Sequence, residues 1–489
     1  MKLSVCLFVY IFSAFSASSQ YCRGFFFKRG VNVVDDKICN ELLIFDLQYI
    51  KQKLEEVHPS LELHCKKKDF DSAYNATLLL LNQPYSLIDF SLLVSDWLSL
   101  LQDSHTFLSP KNWDLYKTNG RHNYPFRLTA VGDKLIVHES RKNKIPIGSE
   151  LISFNSLTIP EVRAMSLRMS PIEAGAYDAQ SEFSVAQLGY VLNSVSQTRR
   201  KSISYCSSGK DTVTVVFRPV SFFRSRSVKQ LRPSKILPEL TISGKTAHLV
   251  IKSFAPKSFY KFKVKLRKKF EEIAIKNVDN LIIDLRNNFG GYVGLQEYLM
   301  QLISTNTASF KAEYIYKRSS HDRFSSLSIQ QRWRFKQLAS RPYSSEALRK
   351  ELAFFNSPYG TVDTILITTS LRNKSTEAYN GKCTLLINGL SMSAAANFAA
   401  WFKSSKRGEL VGTPCMGSLS GTFANSSTIL LPQTQLTVSI STLKITPLSM
   451  DKIDFGCIVP DYVIHATQKQ IQNNIDPCLE FLKNSQIEK

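Results

Sequence analysis

The sequence predicts a multidomain α/β protein, and three observations carry that reading. The last half alternates short apolar runs with segments of helical period, the pattern of a largely parallel sheet covered by helices. An early region has apolar residues spaced by three and four, and a middle region has them spaced by two. At 489 residues the chain is longer than one domain usually is, so two or three units are expected.

The chain opens with one lysine, Lys2, an apolar run from Leu3 to Phe15, and small residues through Ser19. Such a run is too short to span a bilayer and reads as a signal peptide at 1–19, cleaved near Ala17 or Ser19. No later stretch is long and apolar enough for an integral membrane segment. Export to the periplasm, the cell surface or the medium is therefore expected. Residues from about Asp46 to Asp103 are helical: Ile50, Leu54 and Val57 form one stripe, and Leu92, Leu93, Trp97 and Leu100 another. His58-Pro59 ends the first helix, because proline cannot extend it. From Phe126 the period becomes two, with a Gly132-Asp133 turn before Leu135-Ile136-Val137 and a helix at 159–167. This β-rich unit ends near Tyr205. Its pattern suits a peptide-binding domain of PDZ type, where an extended peptide adds to a sheet edge, or equally an inserted structural β domain. The basic, Ser- and Pro-bearing stretch at 218–238 reads as a linker.

Strands are then expected at 247–251, 281–284, 363–368, 383–387, 411–412, 428–431 and 436–441, with helices at 259–275, 292–304, after Ser393 and at 469–482. Residues 310–359 read as a basic, irregular surface insertion.

The formal charge of +22 is large, but the basic residues are spread along the chain. Even the densest stretch, 252–269, reads as one solvated helix face with Phe259, Phe262, Val264 and Phe270 inside. No RNA-sheet or zinc-knuckle signature accompanies it, so no nucleic-acid partner is expected. Of nine cysteines, Cys6 leaves with the signal. The other eight permit disulfides without defining their pairing, and the absence of C-x-x-C speaks against a zinc site. No metal or other cofactor is expected, and no motif sets an oligomeric state.

Two junctions carry candidate chemistry. In Cys383 to Phe398 an apolar strand runs through Asn388-Gly389 to Ser391-Met392-Ser393 and an Ala-rich helix. A serine there has its hydroxyl beside the free N–H groups of a helix start, where an acyl-transfer nucleophile would find oxyanion stabilisation. The plainer reading of Ser391 or Ser393 is an N-cap. In Leu281 to Gly291 a strand ends in D-L-R-N-N-F-G-G. The paired glycines either bring exposed N–H groups close to a ligand or simply make a tight turn.

Together with Val411-Gly412-Thr413-Pro414-Cys415-Met416-Gly417 and Ile458-Val459-Pro460-Asp461, these blocks resemble the tail-specific proteases. That serine peptidase family includes the C-terminal processing peptidases and the tricorn protease core. Upstream, Leu54 to Pro59, Asp103-Ser104-His105-Thr106 and Ile147 to Asn155 resemble its exported bacterial members. The resemblance implies a ClpP/crotonase-like βα core at 243–489 with the insertion 310–359. It further implies an N-terminal helical region at 20–115 carrying the catalytic histidine, a PDZ-like domain at 120–215 and a linker at 216–242. No lysine follows Ser393 at the spacing of the family's Ser–Lys members. The tricorn-like arrangement then implies Ser393 as nucleophile, His105 as base, and Ser104 and Asp454 as relay members. Gly290, Gly291 and Ala394 are implied for the oxyanion hole. The function implied is peptide hydrolysis through an acyl-enzyme, on polypeptide substrates. The alternative is a peptide- or lipid-binding member without turnover, suggested by Phe289, Ala396 and Asp454 at positions where the family carries other residues. His58, His64, His138, His248 and His465 are assigned packing or surface roles.

Overall fold

The computed structural model describes residues 36–109, 124, 126–140, 144–195, 200–207, 211–217, 236–304, 309–322, 324–325, 327–340, 346–370, 378–448 and 456–487. The signal segment, most of the linker and Asp454 lie outside the described residues. At the centre is a six-stranded sheet in the order Glu239–Ser243, Thr246–Val250, Asn280–Asp284, Lys382–Ile387, Glu409–Gly412, Tyr462–Val463. All of its pairings are parallel except the first. Ile283, Leu385 and Leu410 are fully buried in it, as a sheet covered on both faces requires. Each such side chain contributes about 1.5–3 kcal/mol through burial. The helix Phe259–Ile275 covers one face. Ser258 caps it, and Phe262, Leu266, Phe270 and Ile273 point inward. Phe259 and Val264, expected inside, are not in that stripe, and Phe259 is exposed.

Two expectations are corrected. Residues 310–359 are not irregular. They include the strand Ser309–Lys317 and the helices Ile329–Ala339 and Glu346–Phe355, and that strand pairs with both Val362–Ser370 and Leu443–Pro447. The closing helix is broken in two, Gln468–Gln472 and Pro477–Ile487. Asn474 turns to φ 54°, and Asp476 then accepts the amides of Cys478 and Leu479 to start the second piece.

The early region forms the helices Asn40–Val57, Lys67–Leu80 and Leu87–Ser99. It is joined to the C-terminal half by a short strand, Phe107–Ser109, paired with Thr437–Ile440. The β-rich domain has the strand order Phe126–Val131, Lys134–Ser140, Glu150–Phe154, Lys201–Cys206, Thr212–Phe217 and its own core of Phe154, Val162, Leu192 and Ile203. It also contains a helix missed in the sequence, Tyr177–Ser194, whose first turns leave that core and dock on the central sheet's loops. No helix among the described residues is long and apolar enough to cross a membrane. Cys65, Cys383, Cys415 and Cys478 carry free thiols.

Candidate active site

The two junctions are stitched into one loop system. Ser391 Oγ donates to Leu285 O (2.8 Å) and accepts from Asn388 N (3.1 Å). Asn388 Oδ1 accepts from Asn287 N (2.8 Å), and Met392 N donates to Asn288 O (3.0 Å). Ser391 is thus a buried structural serine, and these bonds leave the next residues little freedom.

Ser393 stands at the start of the helix Ala394–Ser404 with φ 53° and ψ −121°, and its side chain makes no capping hydrogen bond. The N-cap reading therefore fails on geometry. A non-glycine residue in such a conformation costs about 1–3 kcal/mol and persists only where its surroundings enforce it. Gly290 is pressed against it: a Cβ added there would lie 2.8 Å from Ser393 Cβ and 2.9 Å from Ala394 N, at φ +89°. Only glycine fits so close an approach.

The structure places Gly290 against Ser393 and Ala394 and Gly291 against Phe254, and their amides are not equivalent. Gly290 N–H is donated to Asn288 Oδ1 (2.9 Å), and Asn288 is itself anchored on Ile251 O. Gly291 pairs with Phe254 through its neighbours, since Phe254 N donates to Gly290 O and Tyr292 N to Phe254 O. That pairing turns the Gly291 N–H away from Phe254. Among the described residues neither Gly291 N–H nor Ala394 N–H has an acceptor. Gly290 N–H is thus engaged, whereas the Gly291 and Ala394 N–H groups are not, and Gly290 itself lies against Ser393.

His105 lies in the turn between the third helix and Phe107–Ser109, half-buried. Its backbone N–H donates to Asp103 Oδ1 (2.8 Å), and Thr106 Oγ1, which donates to Asp103 Oδ2 (2.6 Å), accepts from Ser441 N (3.0 Å). This fastens the histidine turn to the C-terminal half. His58, expected to have a packing or surface role, is buried and bonded to Asp103 Oδ2 through Nε2 (3.1 Å). Its Nδ1 accepts from Ser60 N, so Nε2 carries the proton and donates. His248 likewise meets a carboxylate, Asp284 Oδ2 at 3.3 Å. Despite burial, the hydrogen bond from His58 above all holds the Asp103 carboxyl down at about 2.

Ser104 Oγ lies 3.3 Å from His105 Nδ1 and donates a short hydrogen bond to Glu173 Oε2, which also accepts Ser104 N (3.1 Å). Glu173 comes from the β-rich domain, 69 residues along the chain from Ser104. The sequence reading did not find it, because nothing local marks it. Burial, then the Asp103 charge, holds its carboxyl above the ordinary glutamate range. Three residues further on, Ala176 packs in one cluster with Met392, the neighbour of Ser393. Glu182 accepts Gly389 N (3.0 Å) and the Thr413 hydroxyl. The segment from Glu173 to Ala176 spans at most about 11 Å. The histidine turn and the serine turn therefore lie at either end of it. Ser393 and His105 are not hydrogen-bonded to each other.

Asp103, His105 and Glu173 are the one group among the described residues whose ligand atoms, within 4.8 Å of one another, could hold a metal ion. Those atoms already serve Ser104, Thr106, His58 and the His105 amide, and the buried Lys444 side chain contributes positive charge to the same carboxylates. The sequence-proposed Asp454 is outside the described residues.

Residues 245–464 match the model of peptidase family S41. Among solved structures, mature CPAF is 14% identical with a TM-score of 0.60, covering 91% of this chain and 96% of its own. Mature CPAF complexed with lactacystin is likewise 14% identical with a TM-score of 0.60, covering 91% and 98%. The photosystem II D1 C-terminal processing protease is 12% identical, with a TM-score of 0.41, covering 87% and 92%. At such identities the CPAF likeness speaks for the fold alone. No curated protein sequence matches the chain.

Proposed function

The chain belongs to peptidase family S41 through residues 245–464, and from that premise we propose that Ser393 is its nucleophile and His105 its general base. As a serine-type peptidase, a hydrolase acting on polypeptides, the chain needs an activated hydroxyl facing backbone amides. A binder without turnover is not favoured. The observation that carries the assignment is Ser393 itself: a strained serine at a helix start whose hydroxyl does not cap that helix.

In this reading His105 Nε2 takes the Ser393 hydroxyl proton as Oγ attacks the scissile carbonyl. The negative oxygen of the tetrahedral intermediate is met by Gly291 and Ala394 N–H, each donor worth about 2.7–4 kcal/mol. Collapse breaks the C–N bond, and the imidazolium returns the proton to the leaving amine. Water, deprotonated by the same imidazole, then hydrolyses the acyl-enzyme and regenerates Ser393. Catalytic hydrogen bonds that are open in a resting enzyme close when substrate seats, which fits the separated Ser393 and His105. Ser104 orients the imidazole from its Nδ1 side, and Asp454 remains the sequence-proposed acid of the relay. Export through 1–19, to the periplasm, cell surface or medium, belongs to the same proposal and rests on the Lys2 to Ser19 pattern.

The test is hydrolysis of an unfolded reporter polypeptide. Wild type should cleave it, and Ser393→Ala and His105→Ala should each lose at least about 10³-fold in kcat. Cleavage that persists in both variants would reject the assignment.

A further inference from the structure

We propose that Glu173 and Lys444 form a positioning pair for His105, the first reaching in from the β-rich domain and the second from the strand Leu443–Pro447. This rests on the reading of His105 as the base. Glu173 is 1% exposed and bonded to Ser104, whose hydroxyl sits on His105 Nδ1. Lys444 is 2% exposed, and its Nζ has no hydrogen-bond partner. A buried ammonium without hydrogen bonds is costly unless nearby charge compensates it.

The compensation is at hand. Lys444 lies opposite Phe423 in the paired strands, with Nζ 4.8 Å from that ring, and the ring also meets His58 at 4.8 Å, tilted by 47°. His58 holds Asp103, so Lys444, Asp103, His105 and Glu173 share one buried neighbourhood. Burial lowers the Lys444 pKa from its ordinary value; the groups that face it are Glu173 and Asp103, which favour its charge, and His64, which burial and the lysine together keep neutral near a pKa of 4. Glu173 faces Asp103, which opposes its ionisation, and His105 and Lys444, which support it.

Two carboxylates this close cannot both stay ionised beside one imidazole without a cation. Lys444 supplies that charge without a hydrogen bond. Glu173 therefore remains an acceptor for Ser104, and Ser104 holds the ring of His105 toward the serine turn. The catalytic histidine is thus oriented by a domain other than the one that carries the nucleophile. Lys444 has no part in proton transfer, because it touches neither Ser393 nor His105.

The test is a double-mutant cycle in the full-length enzyme with Glu173→Gln, Lys444→Met and both. The glutamine is isosteric, and methionine replaces the buried charge with an apolar chain of similar length. Glu173→Gln should lower kcat by about 10-fold or more, within the 10²–10⁴ that general-base catalysis supplies, with KM little changed. Lys444→Met should move the acidic limb of kcat/KM upward by about one pH unit or more, because Glu173 then ionises later and His105 feels uncompensated negative charge. In the Glu173→Gln background the same lysine change should cost much less. An unmoved acidic limb, or strictly additive losses, overturns the pairing. Folding is checked by the thermal midpoint of each variant, and a Glu173→Gln protein that folds as wild type yet keeps full kcat also refutes it. If His105→Ala retains activity, the base assignment has failed instead, and the two failures are told apart.

Discussion

Replacing Ser393 with glycine should abolish hydrolysis and at the same time stabilise the fold. The serine occupies φ 53°, ψ −121°, where an L side chain costs about 1–3 kcal/mol. Its hydroxyl makes no capping bond, so deletion removes no such interaction. Glycine takes this conformation without strain but loses about 0.5–1 kcal/mol more backbone entropy on folding. The net expectation is a gain of roughly 0.5–2 kcal/mol, or some 2–4 °C in thermal midpoint for each kcal/mol. Ser393→Ala separates the two effects, since it removes the hydroxyl and keeps the strained backbone. It should be inactive and close to wild type in stability. Differential scanning calorimetry of the three proteins, with activity on the reporter polypeptide, decides the matter. A Ser393→Gly protein less stable than Ser393→Ala would show that the serine backbone is not strained and would remove the main argument for its role.

Other consequences follow from the same contacts. Gly290→Ala should lower kcat/KM by about 10²-fold, because its Cβ falls 2.8 Å from Ser393 Cβ and must push the nucleophile aside; unchanged kinetics would exclude the packing described. Ser391→Ala should destabilise the fold by about 1–3 kcal/mol, measured by denaturant melts, since it leaves Asn388 N without its acceptor and takes one of two donors from Leu285 O, which keeps the Asn288 amide. Arg286→Met should destabilise the fold most near neutral pH and least in acid. Arg286 bonds Asp284 and Asp476, and with His248 it holds the buried Asp284 carboxyl down to about 2. A depressed carboxyl contributes stability that is complete above the unfolded value near 4 and drains away as pH falls toward about 2. The stability gap between wild type and variant should therefore shrink across that window, and a constant gap would contradict the assignment.

Much of this was legible in the sequence because the signals are local. The helix 259–275 follows from the helical spacing of its apolar residues, and the strands around Ile283 and Leu385 from unbroken apolar runs with clear stops. The helix Tyr177–Ser194 escaped because its apolar residues are shared among three clusters: Leu188 and Leu192 join the core of the β-rich domain, Val191 that of the early helices, and Ala179 packs with Met392, so no single apolar stripe forms. The strand Ser309–Lys317 did carry a period-two signal, with Phe310, Ala312 and Tyr316 buried and Lys311 exposed, which its basic surroundings masked. At the site, Ser393, His105, Ser104 and the glycines could be named from the sequence because the family motifs that carry them are contiguous. Asp103 was within reach, two residues before His105 in the same turn. Glu173, His58 and Lys444 were not, since their meeting at one buried point is a product of tertiary packing across three regions of the chain.

The most direct measurement is covalent labelling with a fluorophosphonate at neutral pH, followed by peptide mapping. The account predicts one modified residue, Ser393, with labelling lost in Ser393→Ala and strongly slowed in His105→Ala. A label that maps to another serine, or reacts as fast without His105, would contradict it.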